Sequence, residues 1–125
     1  MAGRTKTILI VDDEPTVANT VRMILERAGY KTLVAYDGES AARLIREISP
    51  DAVLLDVILP RMDGVEVAIQ ACGAAPNCKV MLFSGRPDAA DLLLKAKARG
   101  YAFEILPKPT PPQELLEKLR ELLAV

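Results

Sequence analysis

The 125-residue sequence has no histidine and no tryptophan. Without histidine there is no Ser-His-Asp or Cys-His catalysis, no His-ligated zinc and no haem histidine. Any chemistry must run on carboxylates, lysine, hydroxyls or thiols. Aromatic residues are only 4% of the chain, which leaves little for stacking on bases. Neither charge sign dominates: 16 Lys+Arg face 17 Asp+Glu, a formal charge of −1. That balance gives no reason to expect direct nucleic-acid binding. The two cysteines, Cys72 and Cys78, do not form a CxxC motif. They read as one core thiol and one loop thiol in a reducing cytosol. No apolar run approaches a membrane span. Arg4 and Lys6 precede only the short run Thr7 to Val11, too brief for a signal peptide. The expected location is the cytoplasm, with no membrane partner.

What is present is an ordinary globular composition, 50% hydrophobic and 26% charged. Length predicts one domain over residues 1–125, large enough to fold without disulfide or metal. There is no long linker, repeat or low-complexity tract. Short apolar runs alternate with amphipathic stretches. Thr7–Val11, Thr32–Ala35, Asp51–Asp56, Lys79–Phe83 and Phe103–Leu106 read as strands. Pro15–Ala28, Glu39–Ile48, a stretch through Val65 and Cys72, Asp88–Arg99 and Pro111–Ala124 read as helices. Pro15 suits a first helical turn, and Gly29 its stop. Thr110 is the expected N-cap of the last helix. Five βα units with near-continuous apolar strands predict an α/β fold, a parallel sheet with helices on both faces. Ligands of such folds sit beyond the carboxyl ends of the strands.

Those ends carry the polar residues. Asp12, Asp13 and Glu14 follow the first strand, and Asp56 ends the third. Ser84 and Gly85 follow the fourth, and Lys108 and Pro109 the fifth. Three carboxylates gathered there repel, by several kcal/mol for a pair about 4 Å apart at an effective dielectric near 20. One lysine cannot balance three. A hard divalent cation can, and an all-oxygen set selects Mg²⁺ or Mn²⁺ over zinc. Metal, ammonium and hydroxyl together would stabilise a phosphoryl group, with a carboxylate as nucleophile. Each residue alone has a plainer reading. Asp13 or Glu14 would serve as a helix cap, Lys108 as a solvated surface lysine and Ser84 as a turn residue. Asp56 is harder to dismiss. A carboxylate ending a buried strand is costly unless paired or functional.

Taken in order, ILIVDDEP at 8–15, LLDVILPRMDG at 54–64, MLFSG at 81–85 and LPKP at 106–109 resemble the receiver domain of two-component response regulators. The resemblance spans essentially the whole chain. It implies a doubly wound, flavodoxin-like, five-stranded parallel sheet in the order 2-1-3-4-5. It implies Asp56 as phosphoacceptor, charged from a partner histidine kinase or phosphotransfer protein. Asp13, Asp56 and the Ile58 carbonyl would bind Mg²⁺ or Mn²⁺ directly, and Asp12 through water. Lys108 and Ser84 would contact phosphoryl oxygens, Gly85 would keep the pocket open, and the Lys108–Pro109 bond would be cis. The implied output face is the fourth helix, fifth strand and fifth helix, read by a downstream protein the sequence does not identify. Such a domain is not an enzyme beyond assisting its own phosphorylation and dephosphorylation.

One position departs from the pattern. The family places an aromatic switch three residues before the lysine, where this chain has Ile105. Strand alternation puts Phe103 on the same face, one step further from the site. Output is therefore expected to run through Ser84 and the fourth helix. The alternative is a pseudo-receiver, a protein-interaction module that takes no phosphate. A haloacid-dehalogenase-type phosphatase would need D-x-D after the first strand, and a flavodoxin a hydroxyl-rich phosphate loop. This chain has D-D-E-P. No output module follows the last helix, so the sequence reads as a stand-alone receiver or one taken from a longer chain. Lys95, Lys97 and Arg99 read as the solvated side of the fourth helix.

Overall fold

The computed structural model describes residues 5–59, 62–85, 89–101, 103–108 and 110–124. Its elements run β1 (Thr7–Val11), α1 (Pro15–Arg27), β2 (Lys31–Ala35), α2 (Gly38–Ile48), β3 (Ala52–Asp56), β4 (Ile58–Leu59), β5 (Met62–Asp63), α3 (Gly64–Ala74), β6 (Lys79–Ser84), α4 (Ala89–Ala98), β7 (Glu104–Pro107) and α5 (Pro112–Leu123). Five strands form one parallel sheet in the order β2-β1-β3-β6-β7. Counting only these five, the order is 2-1-3-4-5. The short strands β4 and β5 pair antiparallel as a separate hairpin.

Strand alternation sorts the apolar residues into two layers. Leu9, Val53, Leu55 and Leu82 point to the face covered by α2, α3 and α4. Ile8, Ile10, Leu54, Met81, Phe83 and Leu106 point to the face covered by α1 and α5. Because both faces are covered, the central strands are apolar throughout, and β3 is buried from Ala52 to Asp56. A carboxylate at the end of that strand has little water to turn to.

The helix ends follow local chemistry. Asp37 caps α2, its side chain accepting the Ser40 N–H at 2.7 Å. Gly100, at φ +92°, closes α4: the Tyr101 N–H reaches back to the Ala96 carbonyl in a Schellman-type stop. Arg99 then pairs with Glu66 at 2.8 Å, joining the end of α4 to α3. Lys95 and Lys97 are solvated, as their spacing predicts.

Several details differ from the sequence expectation. The hairpin β4–β5 lies in a stretch whose Pro60 and Gly64 read simply as a loop. Strand β7 runs one residue later than expected, Glu104–Pro107. Thr110 does not cap α5. Pro111 occupies the cap position, extended at ψ 142°, because a residue before proline avoids the helical region. The Thr110 hydroxyl donates instead to the Pro107 carbonyl.

Cys78 is buried in the loop before β6, and Cys72 is half-buried on α3. Both are free thiols. Burial pushes the Cys78 thiol up to about 12, and it also raises Cys72. The thiolate is the reactive form. A thiol reagent at pH 8 should therefore modify Cys72 first and leave Cys78 unmodified until the protein unfolds. Peptide mapping by mass spectrometry checks this order.

Candidate functional site

Parallel pairing brings the carboxyl ends of β1, β3, β6 and β7 to one edge. Asp12 follows β1, and its N–H donates to the Ala35 carbonyl at 3.1 Å, anchoring it beside the end of β2. Asp56 is the last residue of β3, and Ser84 the last of β6. Lys108 follows β7, and its N–H donates to the Ser84 carbonyl at 2.9 Å. Among the described residues, the buried polar side chains are Asp12, Asp56 and Ser84. All three lie at this edge.

Lys108 holds two of the acids together. Its Nζ donates to Asp12 Oδ2 at 2.6 Å and to Asp56 Oδ2 at 2.9 Å. Burial alone would pull this ammonium down, but the hydrogen bonds and charges of Asp12 and Asp56 outweigh it. The net shift is upward, so Lys108 stays charged through the neutral range. Asp12 is aimed by the backbone: its Oδ1 accepts the Glu14 N–H at 2.9 Å, which turns Oδ2 toward the lysine.

The third acid, Asp13, is exposed. One oxygen from each of Asp12, Asp13 and Asp56 lies within 4.8 Å of the others. Three carboxylates and one ammonium leave a local charge of about −2, held at separations where repulsion costs a few kcal/mol. All donors are oxygens, so the cluster suits a hard cation of the Mg²⁺ or Mn²⁺ type. The acidic run makes no side-chain cap hydrogen bond to α1. Glu14 occupies the N-cap of α1, and no side chain caps it.

Other candidates fall around this core. Ile58 begins β4, two residues past Asp56 and paired with Asp63. At Gly85 an added Cβ would stand 3.5 Å from Lys108 Cβ, an ordinary contact, so sterics alone do not require glycine there. Ile105 is half-buried beside Leu82 and packs, with Tyr101 and Phe103, against the layer under α2, α3 and α4. Tyr101 and Phe103 stack with centroids 5.9 Å apart. Pro109, and with it the geometry of the Lys108–Pro109 bond, lies outside the described residues.

Gly64 is a site residue that the sequence marks only as a turn. A Cβ there would overlap the Asp56 carbonyl oxygen and stand 2.7 Å from that of Val57. Its N–H donates to the Val57 carbonyl at 2.9 Å. The backbone leaving Asp56 is thus clamped by the start of α3, while the Val57 N–H donates to the Phe83 carbonyl at 2.9 Å. The signal for this was a glycine opening a helix, eight residues after the buried acid.

Comparison with known proteins places this edge in context. Residues 8–120 match the family described as the response regulator receiver domain. Response regulator MprA of Mycobacterium tuberculosis is 37% identical over 118 residues, covering 93% of this chain and 50% of that protein. The DNA-binding response regulator MtrA of Mycolicibacterium smegmatis is 34% identical over 116 residues, covering 93% and 50%. The chain thus spans about half the length of these relatives, and the DNA binding in MtrA's name is said of that protein. Among solved structures, a CheY-like receiver domain protein from Methanospirillum hungatei aligns with TM-score 0.86 and 30% identity, covering 97% of this chain and 95% of that one. The BeF3-activated receiver domain of Klebsiella pneumoniae RstA aligns with TM-score 0.83 and 28% identity, covering 95% and 99%. No helix among the described residues is long and apolar enough to cross a membrane. With 113 consecutive residues matched and the fold shared, the chain belongs to the response regulator receiver domain family, whose members are signalling domains of two-component systems.

Proposed function

We propose that Asp56 is the phosphoacceptor of a Mg²⁺-dependent signalling switch. The observation that carries this is the buried Asp56 carboxylate, ending the central strand β3 and held by Lys108 within an all-oxygen cluster. A carboxylate oxygen of Asp56 attacks the phosphorus of a phosphohistidine on a partner histidine kinase or phosphotransfer protein. The new O–P bond forms as the donor's P–N bond breaks, and the imidazole leaves with that electron pair. These 125 residues contain no histidine, so the phosphohistidine lies outside them.

Each neighbour then has a task. Asp13, Asp56 and the Ile58 carbonyl would hold the cation, with Asp12 joining through water. Bound there, Mg²⁺ or Mn²⁺ would supply positive charge to the phosphoryl group. Lys108, already 2.9 Å from Asp56 Oδ2, turns to a phosphoryl oxygen. Ser84, buried at the end of β6, donates to another, with the neighbouring Gly85 presenting no side chain to that pocket.

Phosphorylation adds about −1.5 to −2 charge and three acceptor oxygens. Ser84 and Lys108 respond first, and they stand where β6 leads toward α4 and β7 toward α5. The face of α4, β7 and α5 is therefore the output surface. Ile105 offers neither ring nor hydroxyl, so the change runs through Ser84 and α4. A cytoplasmic location and a protein partner downstream suit this reading. The second reading, a pseudo-receiver, rests on that same Ile105.

Two outcomes follow. Asp13→Asn removes one exposed carboxylate from the cluster. It should raise the metal-free Tm by about 3–6 °C, equivalent to about 1 kcal/mol, and shrink the further rise on adding Mg²⁺. Thermal scans with Mg²⁺ or EDTA read both effects. Beryllofluoride with Mg²⁺ should shift amide resonances at Ser84 and along α4, while Ile105 side-chain signals move little. Asp56→Asn should abolish these shifts. Unchanged spectra for the parent chain would favour the pseudo-receiver.

A further inference from the structure

On the face of the sheet under α1 and α5 lies a cavity of about 230 Å³. Its apolar walls are Ile10, Leu54 and Phe83 from the strands, Val21 and Ile24 from α1, and Leu115 from α5. Asp12 and Lys108 also line it, and Thr16, Thr20 and Thr110 contribute hydroxyls. The phosphoryl switch makes no use of this space. The cavity opens to solvent along α1, where Thr16 and Thr20 are exposed, while Ile10, Leu54 and Leu115 among its apolar walls are buried. Filling it with an apolar molecule is favourable.

Size, charge and hydrogen-bonding each narrow the occupant. An apolar cavity of about 150 Å³ holds benzene, whereas drug-sized ligands occupy about 300–1,000 Å³. The space here suits one ring or two fused rings. The charged groups in its lining are Asp12 and Lys108, and both are engaged. Asp12 accepts from the Glu14 N–H and from Lys108, and Lys108 also binds Asp56. An ionic ligand would find no uncommitted countercharge there. The hydroxyls are the remaining polar groups. Thr20 Oγ1 already donates to the Thr16 carbonyl, and Thr110 Oγ1 to that of Pro107. What these oxygens retain is acceptor capacity. A donor on the ligand would be received by either of these oxygens.

We propose that the cavity between α1 and α5 binds a small neutral aromatic molecule with one N–H or O–H donor, of the indole or phenol class. Its ring lies against Phe83 and Leu115, beside the stem of Lys108. Phosphoryl acceptance by Asp56 is not needed for this binding, so the two claims fail separately.

The test is a methyl- and amide-detected NMR titration of the full chain with three probes: indole, naphthalene and indole-3-carboxylate. Indole should produce saturable shifts confined to Ile10, Val21, Leu54, Leu115 and the Lys108 amide. Naphthalene, lacking the donor, and the anionic carboxylate should each bind at least tenfold more weakly. Thr20→Trp, at an exposed position, and Val17→Phe, at a further lining residue of α1, should obstruct the cavity and weaken indole at least tenfold. Signals of the α3 side of the sheet report that each variant is folded. No saturation up to the solubility limit of indole overturns the proposal. So do shifts scattered over the surface, equal binding of the three probes, or undiminished binding in both folded variants.

Discussion

Three carboxylates and one ammonium share the carboxyl edge of the sheet, with an oxygen of each acid within 4.8 Å of the others. The rest of the site is arranged around that excess of negative charge. Acids so placed repel, and two of them are buried. The fold tolerates them because each is fixed by something else. The Glu14 N–H and Lys108 take both oxygens of Asp12. Lys108 bridges from there to Asp56, and Gly64 clamps the backbone that follows. Folding energy comes from the two apolar layers, and part of it is spent holding this cluster in place. The result is an all-oxygen cluster whose excess negative charge suits a hard divalent cation.

Parallel topology makes such a site possible at all. Antiparallel strands would send alternate ends to opposite edges. In the order β2-β1-β3-β6-β7, strand β1 and strand β6 flank β3. Asp56 therefore ends the central strand, with Asp12 on one side and Ser84 on the other. Lys108 arrives from the outer strand β7 and crosses toward Asp12, which a long flexible side chain can do. The same crossing lays the lysine stem along the cavity between α1 and α5. Space beside the site and charge within it thus share one residue.

Much of this was legible in the sequence, for a physical reason. Strands buried on both faces must be apolar, so the runs ILIV, AVLL and VMLF stand out, and whatever ends them stands out too. Asp12, Asp56 and Ser84 are legible that way, whereas Lys108 follows the outer strand β7 and is marked only by its place after a fifth strand. Asp13 was found by adjacency, and it makes no side-chain cap hydrogen bond to α1. Gly64 was not readable as a site residue, because its task is a steric approach between segments that only the fold brings together. The hairpin of β4 and β5 was equally hidden, since two-residue strands carry no periodicity. The start of α5 was misplaced because two consecutive prolines override a good capping residue. The cavity leaves no trace in sequence, being a property of how α1 and α5 fail to close.

The central claim is that Asp56 accepts a phosphoryl group with the help of a divalent cation. Intact-mass measurement after incubation with acetyl phosphate and Mg²⁺ tests it without needing the partner kinase. The expected result is a single phosphoryl adduct that requires Mg²⁺ and is absent from Asp56→Asn. An adduct that persists in that variant would move the acceptor elsewhere. No adduct under any metal condition would contradict the account and leave the chain as a receiver-shaped interaction module.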